Sequence, residues 1–162
     1  MKREMTETYV PVVMVRRDLQ ELPIRSLPAR YSLRWYTPGD ATHWVDIQSR
    51  ADALNRISAV LFDAQFAERG ELPKRQAFIL DESGRPAGSA TAWFGDCRGT
   101  KMGRVHWVAV LPEHQGRGLG SALMSVVCSR LRDLGHAAAY LTTDERRTMA
   151  LGLYVRFGFV RV

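Results

Sequence analysis

The sequence predicts an α/β domain, one mixed sheet with helices on its faces, and three observations lead there. Along residues 31–162 the hydrophobic period runs strand, helix, helix, strand, strand, strand, helix, strand, helix, strand. The chain has 162 residues, 46% hydrophobic against 25% charged, which is enough apolar side chain for one packed core. No repeat of roughly 20–50 residues, low-complexity tract or long Gly/Ser linker divides it. Six or seven strands and about four helices are therefore expected, with 1–30 as an N-terminal arm and 31–162 as the domain.

Each element has its own local reason. Residues 10–15 (VPVVMV) are apolar and β-branched, but Pro11 lacks a backbone donor and suits only a strand edge or a strand start. Leu22-Pro23 and Leu27-Pro28 punctuate a connector, and 31–36 (YSLRWY) reads as a strand. Thr37-Pro38-Gly39-Asp40 is a turn whose Asp40 is placed to cap a helix carrying Trp44, Ile47 and Ala51 at helical spacing. A second helix is expected over 58–69 with Val60, Leu61 and Phe66 inward, closed by Gly70. Then 76–81 (QAFILD), a turn at 82–86 and 87–94 (AGSATAWF) make a β-hairpin. A glycine-containing loop over 95–103 leads to 104–111 (RVHWVAVL), a central strand stopped by Pro112. The clearest helix is 119–134, with apolar residues at 119, 122, 123, 126, 127, 131 and 134. Gly135 ends it; 137–142 (AAAYLT) is a strand, 148–157 a short helix and 159–162 a last strand fragment.

Charge and composition narrow the function classes. Lys and Arg number 23 against 17 Asp and Glu, a formal +6, with an isoelectric point near 9.8. An anionic partner is permitted without being chosen. No helix carries a basic stripe interleaved with aromatics, so nucleic acid ranks last. The longest apolar stretches fall far short of the roughly 18 residues of a membrane span. The first ten residues (MKREMTETYV) alternate charges where a secretory signal needs an apolar region, and a cytoplasmic protein is expected. Cys97 and Cys128 show no metal-ligand spacing and read as plain thiols in a reducing compartment; no metal is expected.

The chemistry concentrates where the central strand meets the long helix, at VAVLPEHQGRGLGS (108–121). Glycines let backbone approach a ligand closely, and the first N–H groups of a helix lack internal acceptors. With the helix dipole they form an anion site sized for phosphate, and Arg117 adds charge at its rim. No lysine follows these glycines, which excludes the P-loop pattern. The dinucleotide fingerprint fails too, since Ser121 stands at the third glycine position and Asp133 lies within the helix.

Gln115-x-x-Gly118-x-Gly120 after a Val-x-Val strand resembles the acetyl-coenzyme A motif of the GNAT (GCN5-related) N-acetyltransferase superfamily. The resemblance extends over about 104–160, where Leu153-Tyr154-Val-Arg-Phe157-Gly158-Phe159 is similar to that family's second signature, with Tyr154 34 residues after Gly120. It implies a GNAT-like acyl-CoA N-acyltransferase fold and a direct transfer from acetyl-coenzyme A, as co-substrate, to a primary amine in a ternary complex. By the same resemblance the backbone of Val108, Ala109 and Val110 would pair with the pantetheine arm and polarise the thioester carbonyl. Gln115, Gly116, Arg117, Gly118, Leu119, Gly120 and Ser121 would hold the pyrophosphate, and Tyr154 would protonate the departing thiolate. A phenol, of pKa about 10, is a competent acid for that step.

The sequence departs from the family in its site residues and at the end of the chain. Many relatives carry a proton-accepting glutamate on the strand before the glycine-rich loop or near the end of the next strand; here those positions are Arg104 and Thr142. His106, on the same strand face as Arg104, is the candidate base, with Asp144 and Glu145 as the next candidates. The asparagine often found seven residues before the tyrosine is Arg147. Relatives also continue past the Gly-Phe pair into a seventh strand, whereas this chain stops at Val162, so that strand is missing, supplied by 10–15, or borrowed from a second copy in a homodimer.

The acceptor is expected to be a small-molecule or peptide amine. Residues 37–96 hold nine acidic against six basic side chains, and their helices shape the acceptor groove in the family, so a cationic acceptor is expected with Asp46, Asp52 and Asp63 as possible contacts. Trp35, Trp44 and Trp93 are either groove walls or core. The competing reading is a non-catalytic acyl-CoA-binding or regulatory module, which the missing glutamates favour and the retained Tyr154 disfavours.

Overall fold

The computed structural model describes residues 9–162. In chain order the elements are β1 (Pro11–Arg16), β2 (Ser32–Trp35), α1 (Ala41–Ala51), α2 (Ala59–Gln65), a 3-10 turn (Arg69–Glu71), α3 (Leu72–Arg75), β3 (Gln76–Leu80), β4 (Pro86–Cys97), β5 (Thr100–Val110), a 3-10 turn (Pro112–His114), α4 (Leu119–Asp133), β6 (Ala139–Asp144), α5 (Thr148–Arg156) and β7 (Val160–Arg161). They form one mixed seven-stranded sheet in the order β2-β3-β4-β5-β6-β1-β7. Every pairing is antiparallel except β5 with β6.

The N-terminal segment lies inside the sheet. β1 pairs with β6 along its whole length and with β7 through Met14 and Val15, so the seventh strand is supplied by this chain's own start. Pro11 sits at the first position of the strand, where a missing donor is tolerated. Val12, Met14 and Val15 are buried. Arg16 Nη1 donates to Phe157 O at 2.8 Å, fixing the end of α5 beside β1. The expected arm is thus divided: residues 1–8 lie outside the described residues, 11–16 belong to the sheet, and the rest connects β1 to β2.

Two apolar layers cover the sheet. α4 lays Leu119, Leu123, Val127 and Leu131 over small residues of β4, Ala87, Ala90 and Ala92, in a core that also takes in Leu151, Tyr154 and Phe157 of the α5 region. Close approach requires those small side chains: a Cβ on Gly88 would lie 3.0 Å from Ala109 O and 3.4 Å from Leu123 Cδ1. Each fully buried leucine contributes at most about 1.5–3 kcal/mol. The second layer is aromatic, with Trp44, Phe62, Phe66, Phe78 and Trp93 between α1, α2 and the sheet. Trp44 meets Phe62 and Phe66 edge-on at 5.3 and 5.6 Å. Trp44 and Trp93 are therefore core, and Trp35 carries the Arg130 guanidinium 3.8 Å above its ring.

Three local expectations are corrected. The loop expected over 95–103 is a hairpin, because Arg98 and Gly99 both take positive φ (50° and 87°) and make the two-residue turn that matches strand twist. Asp40 precedes α1 without a side-chain cap; its carboxylate instead accepts from Arg34 Nη1 and Nη2 (2.6 and 3.0 Å) and from Thr37 N (2.7 Å). The charged partner outcompetes a neutral cap. Val60 is 78% exposed, and Phe62 turns inward in its place because the short α2, capped by Ser58, starts its stripe two residues later.

Candidate functional site: a cleft between β5 and β6

The site begins with a bulge. On β4, Ser89 faces Ala109 and Thr91 faces His106, so β5 holds one extra residue between these pairs. Trp107 absorbs it at φ 53°. Its carbonyl accepts from Gln48 Nε2 of α1 and its indole N–H donates to Gln65 Oε1 of α2, each at 3.0 Å. β5 and β6 run in register only at Gly103 with Ala139 and Arg104 with Tyr140. Beyond that point β6 continues along β1, and the two strands part.

The parting opens a cleft of about 540 Å³. Val108, Ala109 and Val110 line one side, Gln115, Gly116, Gly118, Leu119, Gly120 and Ser121 its end, and Arg146, Arg147, Tyr154 and Arg156 the other side. Gly116 and Gly118 sit at φ 76° and 84°, conformations that β-carbon-bearing residues adopt only with strain, and so deliver the chain into α4. Gln115 Nε2 donates to Val110 O at 3.0 Å, tying the turn to the end of β5. A Cβ on Gly120 would touch Leu153 Cδ2 at 3.4 Å, which places α5 directly against the first turn of α4. The cleft therefore offers free helix N–H groups and three guanidinium side chains, and no carboxylate among the described residues lines it. A larger groove of about 730 Å³ opens at the other end of β5, beside Lys101 and Met102, but has neither the glycine-rich turn nor Tyr154.

The structure brings most of the sequence-predicted residues together and leaves two apart. Tyr154 lines the cleft with the residue 8% exposed; burial pushes its phenol up to about 12 against the opposing pull of the Arg147 charge, so it stays protonated. Arg117 turns away: its Nη1 donates to Tyr31 Oη (2.9 Å), which also bonds His114 Nδ1 (2.7 Å), beside a neighbouring groove. His106 is absent from the cleft lining. It is 6% exposed against Phe66 (5.6 Å between ring centroids), and its Nε2 has no hydrogen-bond partner among the described residues. Burial, then the Arg104 charge, hold its pKa well below the usual histidine value.

The alternative carboxylates are already engaged. Asp144 accepts from Arg146 Nε and Nη2 at 2.8 Å each and from Arg146 N at 2.9 Å, which keeps its carboxyl strongly acidic. Glu145 is paired with Arg161 at 2.9 Å. Asp46 lies 3.8 Å from Arg50 and Asp63 pairs with Arg69, both on the surface. The Asp52 side chain is 4% exposed and bound to Arg147 at 2.8 Å. Sequence reasoning missed Arg146 and Arg156 as cleft walls, and Gln48 and Gln65 as supports of the bulge. Arg156 stands two residues past Tyr154, a spacing that puts side chains on different helix faces and so gave no signal; the glutamine contacts join residues 59 and 42 positions apart and left none either.

The sheet thus parts around a glycine-rich helix start, and the cleft there is the candidate site. Residues 33–159 match the acetyltransferase (GNAT) family, and the chain belongs to that family. It is 36% identical over 148 residues to a mycothiol acetyltransferase of Pseudarthrobacter chlorophenolicus, covering 87% of this chain and 46% of that protein. A mycothiol acetyltransferase of Clavibacter sepedonicus is 32% identical over 161 residues, covering 97% and 51%. The chain thus spans about half the length of these curated relatives. Among solved structures, a GCN5-related N-acetyltransferase from Sphaerobacter thermophilus superposes with a TM-score of 0.76 at 22% identity, covering 94% of this chain and 48% of that one. A NatC complex bound to Gag peptide and CoA matches with a TM-score of 0.70 at 16% identity, covering 82% and 86%, and these two likenesses bear on the fold.

Proposed function

We propose that the protein transfers an acetyl group from acetyl-coenzyme A to a primary amine by direct attack in a ternary complex. The observation that carries the reading is the single cleft in which free β5 backbone, the glycine-rich start of α4 and a protonated tyrosine meet. When bound, the co-substrate supplies an activated thioester. Backbone N–H from Val108, Ala109 or Val110 donates to the thioester oxygen as negative charge develops there. The N–H groups at 116–121 and the guanidinium groups of Arg146, Arg147 and Arg156 face the pyrophosphate. Tyr154 gives its proton to the sulfur as the carbon–sulfur bond breaks. The amine proton passes to solvent, because His106 is buried against Phe66 and does not line the cleft.

That no carboxylate among the described residues lines the cleft favours one second reading, a non-catalytic acyl-CoA-binding module. Release of free coenzyme A, followed chromatographically across a panel of amines that includes mycothiol-related acceptors, separates the two. Turnover that collapses in Tyr154→Phe upholds the transferase; tight acetyl-coenzyme A binding without turnover on any amine upholds the module.

A further inference from the structure

The last turn of α1 reaches both sides of the cleft. Arg50 Nη2 donates to Glu113 Oε1 at 2.6 Å, next to the glycine-rich turn. Ala51 lines the cleft itself. Asp52, the next residue, accepts from Arg147 Nη2 at 2.8 Å on the α5 side. The two bridges differ in kind. Arg50 and Glu113 are roughly half exposed (46% and 48%), whereas the Asp52 side chain is 4% exposed. Asp52 also accepts from Leu54 N (2.7 Å), Asn55 N (3.1 Å) and Asn55 Nδ2 (2.9 Å), so its carboxylate is rigidly placed before Arg147 reaches it.

Arg147 in turn sets the start of α5. Its carbonyl accepts from Leu151 N at 2.9 Å and its N–H donates to Asp144 O at 3.0 Å. Tyr154 lies seven residues on, two turns along the same helical face. We infer that Asp52 is a positioning residue for the transfer reaction: through Arg147 it anchors the first turn of α5 to α1 and so holds the Tyr154 hydroxyl at the cleft. Asp52 is then excluded as a contact for the acceptor ammonium, because its side chain is 4% exposed and already bonded to the α1–α2 turn and to Arg147. This rests on the transferase reading for its catalytic consequence, while the anchoring of α5 does not.

The test uses the full chain, acetyl-coenzyme A and an amine that the parent turns over. Asp52→Asn lowers kcat about tenfold, with KM for acetyl-coenzyme A within about twofold, and Arg147→Gln lowers kcat by a similar factor. The double variant falls no further than either single one, because the partners act as one unit. Arg147→Lys recovers much of the rate, and Arg50→Gln, at the exposed bridge, leaves it unchanged. Hydrogen exchange of the α5 amides accelerates in Asp52→Asn while that of α4 does not. A kcat within twofold of the parent, or losses that multiply in the double variant, overturns the inference. If the parent turns over no amine, the transferase reading fails separately, and the exchange result still decides: unchanged α5 protection refutes the anchor. Arg147, 30% exposed, keeps the test available should Asp52→Asn not fold.

Discussion

The two walls of the cleft are built from different materials. One is backbone: Val108, Ala109 and Val110, then a turn whose shape depends on Gly116 and Gly118. The other is side chain: Arg146 bonded to neighbouring Asp144, Arg147 bonded to distant Asp52, and Arg156 and Tyr154 on α5. A backbone wall recognises what all ligands of a class share, since amide groups are the same whatever residue bears them. The side-chain wall carries the proton donor, Tyr154, among cationic groups. Removing the phenol of Tyr154 should therefore act on turnover, and straining the glycine-rich turn should act chiefly on binding.

The largest expected effect lies on the side-chain wall. Tyr154→Phe should lower kcat about a hundredfold or more by removing the proton donor, with acetyl-coenzyme A affinity by calorimetry almost unchanged. A variant that keeps near-parental kcat would move the acid elsewhere. On the backbone wall, Gly118→Ala forces a β-carbon into φ 84°, although a Cβ there meets nothing within 4 Å. The strain is about 1–2 kcal/mol, so the melting temperature should fall by several degrees and acetyl-coenzyme A affinity about tenfold, while kcat at saturation stays close to the parent's.

Two histidines outside the cleft lining, His106 and His136, give a smaller, pH-dependent effect. His106 has a lowered folded pKa, so the unfolded chain binds more protons once pH falls below about 6.5, and stability drops from there towards the folded pKa. Each pH unit in that window costs up to about 1.4 kcal/mol per such histidine. His136, lowered by burial and by Arg75, acts in the same direction. Urea midpoints at pH 7.5 and 5 should therefore converge partly in His106→Gln, and equal pH dependence in parent and variant would show that His106 is not held neutral. The smallest effect belongs to the exposed bridge: Glu113→Gln should leave the melting temperature unchanged within error.

The difference between the walls also explains what could be read from the residues alone. Glycines with positive φ, a proline stop and an amphipathic helix are local signals, so the turn from β5 into α4 was legible, as was Tyr154 through its flanking Leu153 and Gly158-Phe159. The source of the seventh strand was not: it was open between a missing strand, one supplied by 10–15 and one borrowed from a second copy, and pairing of β1 with β6 and β7 selects the second. Arg117 had the right charge at the right place in sequence, yet Tyr31, 86 residues away, draws it out of the cleft. His106 met its periodicity argument, but the aromatic layer over that face of β5 comes from α1 and α2, and its depth has no local mark. Asp52 was one of three equivalent acids until a partner 95 residues away distinguished it.

Thermal unfolding with acetyl-coenzyme A probes the cleft most directly. At about a hundred times its dissociation constant, a ligand specific for the folded state adds about 2.7 kcal/mol. For a chain of this length that raises the melting temperature by roughly 5–10 °C, and Gly118→Ala should need more ligand for the same rise. No rise for the parent at millimolar acetyl-coenzyme A would contradict the assignment of this cleft.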